Sequence, residues 1–146
     1  MIKIRNSVFE TNSSSVHSIS IDKSGLEKSN FKLDKNGYIH VDYGQFDRYY
    51  ELFTSQYEKL SYLITCCYYL ANYEDSVTDT YEFRRIEDAL KDYTGCAGII
   101  IDNQCEPYID HQSIPYDSIE IINVYNRDEI INFVFNKYIS LKTTSD

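Results

Sequence analysis

Residues 55–71 narrow the possible folds more than any other stretch. Ser55 and Glu58 make a Ser-x-x-Glu capping box, and beyond it Leu60, Leu63, Ile64, Cys67, Tyr68 and Ala71 recur at helical spacing. The spacing predicts a helix with one apolar face about two to three turns long, which must be covered by another layer. Cys67 lies in that stripe and reads as a small core residue rather than a reactive thiol. A second helix is predicted to follow Thr78 or Asp79. Phe83, Ile86, Leu90 and Tyr93 form its face, and Gly95 stops it.

The segments around these helices read as strands. "MIKIR" suits a short first strand, and "SVHSISID" alternates with His17, Ile19 and Ile21 on one face. "FKLDKNGYIHVDYG" reads as a hairpin, because Asn36-Gly37 supplies the two residues that tolerate positive φ in a type I′ turn. His40, beside Ile39 and Val41, has no evident partner and reads as a solvent-side or rim residue. "AGIIID" suits a central strand. "CEPYIDHQS" alternates, and "SIEIINV" is a strand candidate with helix as the alternative. Asn126 and Glu129 form a capping-type pair before a third helix, "IINFVFNKY", and "ISLKTTSD" ends the chain as an edge strand or a fray. The pattern predicts a single α+β domain over residues 1–146. It has a mixed or mostly antiparallel sheet with about three helices packed on it.

Charge bounds the partners. The 146 residues include 23 acidic and 14 basic ones, for a net charge of -9, with 15 Tyr, 7 Phe and no Trp. Such a chain repels nucleic-acid phosphates and anionic membranes at long range, so neither a direct nucleic-acid nor a membrane partner is expected. It favours basic proteins, including those whose grooves normally hold nucleic acid. No apolar run of membrane-spanning length and no secretory signal is present, so a cytoplasmic location with reduced Cys66, Cys67, Cys96 and Cys105 is expected.

Two polar stretches could carry chemistry. Glu10, Thr11, Asn12, Ser13, Ser14 and Ser15 precede His17; hydroxyls and loop N–H groups of that kind hold oxyanions, and imidazole is the usual activating base for a serine. Ser15 and His17 share a strand face with Cβ atoms about 6 to 7 Å apart, too far for easy direct bonding. The alternative is a polar loop whose side chains satisfy their own backbone. The second stretch, "YIDHQS", places His111 and Ser113 on one face and Asp110 on the other. Beside His17 it would complete a patch with two imidazoles as acid, base or phosphate-binding groups. In the alternative reading both histidines are buried, neutral and hydrogen-bonded. The spacing of Cys96, Cys105, His17 and His111 matches no metal motif, and neither metal nor cofactor is expected. An acidic, aromatic surface is a third feature: Asp42, Tyr43, Asp47, Tyr49, Tyr50 and Glu51, with Glu74, Asp75, Asp79 and Glu82, suit a protein-binding rim.

The stretches "RNSVFETNSSSVHSI" at 5–19, "EKLSYLITCCYYL" at 58–70, "YIDHQS" at 108–113 and "NFVFN" at 132–136 resemble a loose group of small phage and prophage proteins of low-GC Gram-positive bacteria. That group carries an N-terminal FETNSSSxHS motif and a downstream DHQS motif. The resemblance implies that the two Ser/His stretches belong to one recurring unit. It also implies a mobile-element origin, in which small acidic proteins act against host or defence machinery.

Two functional readings follow. In one, Asn12, Ser13, Ser14, Ser15, Asp110 and Ser113 bind a small anionic ligand, such as a nucleotide phosphate, and His17 and His111 do the acid/base chemistry. In the other, the chain is an inhibitor without catalysis, of the anti-CRISPR or other anti-defence type. It would imitate nucleic acid and dock Asp42, Tyr43, Asp47, Tyr49 and Tyr50 on a basic host or defence protein.

Overall fold

A computed structural model describes residues 2–3, 23–46, 51–71, 76–110 and 126–143. In chain order the elements are β1 (Ile2–Lys3), β2 (Tyr38–Val41), β3 (Gln45–Phe46), β4 (Glu51–Phe53), α1 (Gln56–Leu70), α2 (Tyr81–Thr94), β5 (Gly98–Ile101), β6 (Tyr108–Ile109), α3 (Arg127–Phe135) and β7 (Leu141–Thr143). The fold is α+β, as the sequence pattern predicts. α1 and α3 begin at the expected caps, and α2 begins at Thr80, one or two residues past the expected Thr78 or Asp79, which lie in a short 3-10 turn. Ser55 Oγ accepts from the Glu58 N–H, and the Glu58 side chain returns to the Ser55 N–H, closing the capping box. Thr80 caps α2 by accepting from the Phe83 N–H, and Gly95 ends it in the left-handed conformation at φ 76. Asn126 caps α3 by accepting from the Asp128 N–H; the Glu129 carboxylate returns no bond to the cap.

The core is one cluster. Leu60, Leu63, Ile64 and Cys67 of α1 meet Phe83, Ile86 and Leu90 of α2, Ile130, Phe133 and Val134 of α3, and Ile39, Val41 and Ile99 of the strands. Burial pushes the Cys67 thiol well above its ordinary pKa, which fits its reading as a core residue. An ammonium is buried with them: Lys59 is 1% exposed, and its Nζ donates to the carbonyls of Asn136 at 3.0 Å and Ile139 at 2.9 Å. These carbonyls lie at and just past the C-terminus of α3, where the helix leaves acceptors without intrahelical donors.

Strand pairing differs from the expected single sheet. β7 pairs antiparallel with β1 on one side and β4 on the other, so the C-terminal strand is central rather than an edge. β2 pairs in parallel with β5, and β3 in parallel with β6. The expected hairpin shrinks to an isolated bridge between Leu33 and Ile39. Its turn is also of another type: the Gly37 N–H donates to Asp34 O, and Gly37 alone takes positive φ, at 87°, while Asn36 does not. That is a type I turn with the left-handed residue added after it. The strand that follows finds its main partner about sixty residues later, across α1 and α2, which supply the long crossover that a parallel pair requires.

Candidate functional site

The two parallel ladders form one interrupted ribbon. Between them, residues 42–44 of the first strand face the longer stretch 102–107 of the second. An interruption exposes backbone donors and acceptors that need new partners. α1 supplies them from one stripe with a spacing of four. The Tyr57 hydroxyl accepts from the Asp42 N–H, Ser61 Oγ donates to Asp42 O, and Thr65 Oγ1 accepts from the Gly44 N–H. One turn on, the Tyr69 hydroxyl accepts from the Ile109 N–H at 3.1 Å. On the neighbouring strand a Glu87 carboxylate oxygen from α2 accepts from the Ile99 N–H at 3.0 Å. Polar side chains from the helices thus occupy backbone donors of β5 and β6 that β2 and β3 do not bond.

Asp42 closes the interruption. Its carboxylate accepts from the backbone N–H groups of Tyr43 at 2.8 Å, Gln104 at 3.0 Å and Cys105 at 3.1 Å. Asn103, at φ 55, turns the loop so that its successors point inward. This corrects the surface role expected of Tyr43, while Asp42 stays half-buried. The Asp42 carboxylate is engaged with its own loop. Tyr43 is buried against the edge of Tyr68, and burial raises its hydroxyl pKa to about 12.

Beside this loop, His40 sits between two carboxylates. Its Nε2–H donates to Asp34 Oδ2 at 2.7 Å and its Nδ1–H donates to Asp102 Oδ1 at 2.6 Å. With both nitrogens donating, the ring is an imidazolium. His40 is on the solvent side as expected, with 41% of its side chain exposed, but it has two partners rather than none. Asp102 first, and then Asp34, raise its pKa. Asp34 is held below the usual carboxylate range chiefly by the Tyr38 N–H, then by His40. Asp34 Oδ1 accepts from the N–H groups of Asn36 at 2.8 Å and Tyr38 at 2.9 Å, so the turn itself fixes this carboxylate. The His40 bonds stabilise fully below the ordinary histidine value of 6.5 and are lost as pH rises through the raised one. The Asp34 contribution stands above 3.8 and is lost as pH falls through its lowered value.

The triad opens onto the outer face of the ribbon. Ile39, Val41, Phe46, Ile99 and Ile109 point into the core. His40 and Ile100 are register partners, both exposed, and so are Gln45 and Tyr108. Over the nine positions of one strand, at about 3.3 Å each, this face runs for roughly 25–30 Å. It carries an aliphatic and an aromatic side chain among carboxylates.

The other predicted site residues divide simply. Asn12, Ser13, Ser14, Ser15, His17, His111, Ser113, Asp47, Tyr49 and Tyr50 lie outside the described residues, as do the strands expected around 16–22 and 118–124. Asp110 is described and buried: its N–H donates to Phe46 O, extending the β3–β6 ladder. Asp79 is exposed, 3.8 Å from Arg84. Among the described residues no three His, Cys, Asp or Glu side chains are arranged to hold a metal ion, and no helix is long and apolar enough to cross a membrane. The hydroxyl stripe Tyr57, Ser61, Thr65 and Tyr69 could have been found from its four-residue spacing. The His40 triad could not, because Asp102 joins it only through the parallel register. Set against known protein families, curated proteins and solved structures, the chain matches none.

Proposed function

We propose that this chain is a non-catalytic, acidic protein-binding module that docks a basic surface of its partner on the outer face of the parallel ribbon. The observation that carries the reading is that face: Ile100, 37% exposed, is the register partner of His40, which bonds Asp102, and Tyr108, 45% exposed, lies farther along the same face, in a chain of net charge -9. Apolar anchors among polar groups of net negative charge suit a complementary, Lys/Arg-rich partner. Three reactive side chains among the described residues are engaged or enclosed. Both ring nitrogens of His40 are occupied, Cys67 is buried, and Lys59 is turned onto backbone carbonyls. Following the motif resemblance, we assign the partner to a phage setting, as a basic host or defence protein.

The anion-binding reading draws on Ser13, Ser14, Ser15, His17 and His111. Its described member, Asp110, is buried, with its N–H extending the β3–β6 ladder instead of lining an open site. The docking reading is therefore preferred. Its test uses a lysine-rich peptide as probe, titrated into the intact chain by calorimetry. Binding is expected to weaken as salt rises and to be lost in Ile100→Lys and Tyr108→Lys, whose exposed positions leave the melting temperature unchanged. Binding indifferent to both substitutions would remove the outer face from the reading.

A further inference from the structure

The His40 triad couples backbone segments far apart in sequence. Asp34 stands in the turn before β2, His40 on β2 itself, and Asp102 at the start of the loop after β5. No other titratable side chain lies within ion-pair distance of the ring among the described residues; the β5 residue in register with it is Ile100. The two carboxylates are held very differently. Asp34 Oδ1 is anchored by two backbone N–H groups. Among the described residues the Asp102 carboxylate has no partner but the ring, although its backbone N–H is fixed to Val41 O.

We propose that His40 is a proton-operated clasp that holds Asp102 when protonated and releases it when neutral. The imidazolium has two N–H donors, one for each carboxylate. On losing a proton to water it keeps one donor and turns a ring lone pair towards the other carboxylate, which repels it. If the remaining proton stays on Nε2, Asp34 keeps its bond and Asp102 swings into solvent, moving no other bonded group. If it stays on Nδ1, the ring must leave Asp34, which the turn does not allow to follow. The first arrangement breaks less, so Asp102 is the group set free. The loop is then held by the backbone bond from the Asp102 N–H to Val41 O, by the Asp42 carboxylate on Gln104 and Cys105, and by a long bond from Gln45 Nε2 to Glu106 O. The outer face gains one uncompensated negative charge beside Ile100. The raised pKa of His40 puts the transition on the alkaline side of an ordinary histidine.

The clasp is a property of the free chain; only its consequence for docking rests on the binding role proposed above. The test is an NMR pH titration of the intact chain without partner, with the His40 ring resonance identified by its loss in His40→Gln. The ring is expected to titrate above 6.5, and the Gln104 and Cys105 amide shifts to follow it with the same midpoint. Asp102→Asn should lower the midpoint and remove the coupled amide shifts. In His40→Gln, those amides should lose their pH dependence over the same range. A His40 midpoint at or below the ordinary value, or loop amides that ignore the ring titration, would overturn the clasp. Because no partner is present, neither outcome bears on whether the outer face binds the lysine-rich peptide.

Discussion

Replacing Lys59 with methionine isolates the cost of keeping an ammonium inside this core. The side chain is 1% exposed, and burial lowers its pKa from 10.5 to about 8, with the charge of Glu27 partly opposing. That difference corresponds to roughly 3 kcal/mol of unfavourable work at neutral pH. An unfolded lysine keeps its proton up to 10.5, whereas the folded one releases it near 8. Between those values the unfolded chain binds more protons, so the folded state gains stability as pH rises. Below about 8 both states are charged and the full cost stands. A neutral amine keeps two N–H donors, enough for Asn136 O and Ile139 O, so the geometry survives the titration. The assay is denaturant unfolding of wild type and Lys59→Met at a series of pH values. The difference between them cancels every other titrating group. It should shift in favour of the wild type by about 3 kcal/mol as pH climbs through this window. A flat or falling difference would refute the reasoning. It would mean that the two carbonyls and the dipole of α3 already compensate the buried charge.

Other perturbations address the ribbon and the undescribed polar stretches. Tyr69→Phe leaves the buried Ile109 N–H without its acceptor. It should cost about 1–3 kcal/mol in thermal or denaturant unfolding and speed hydrogen exchange at Ile109. Glu87→Ala should cost a similar amount, about 1–3 kcal/mol, through the Ile99 N–H. Exchange rates at Ile99 unchanged from wild type would contradict it. For the anion-site alternative, inorganic phosphate is the probe. Binding that is lost in Ser14→Ala, His17→Ala and His111→Ala at constant melting temperature would revive that reading, and its absence in the wild type would end it.

Local chemistry makes the helices legible in the sequence. The capping box at Ser55 and Glu58, the Gly95 stop and the two apolar stripes each act within a few residues, so the sequence determined where α1 begins, where α2 ends and which faces they bury, while the Thr80 cap lies one or two residues past the expected start of α2. Strands depend on partners elsewhere. Nothing near Tyr38–Val41 says that its ladder lies with Gly98–Ile101 in parallel rather than with the residues across an Asn-Gly turn. Nothing in "ISLKTTSD" says that it is flanked on both sides. The same limit applies to the site. His40 is recognisable as a solvent-side residue from strand alternation, but its second carboxylate comes from Asp102, more than sixty positions away. The tertiary structure alone decided that pairing, because a hydrogen bond depends on distance in space, and the parallel register is what brings Asp102 within 2.6 Å of the ring.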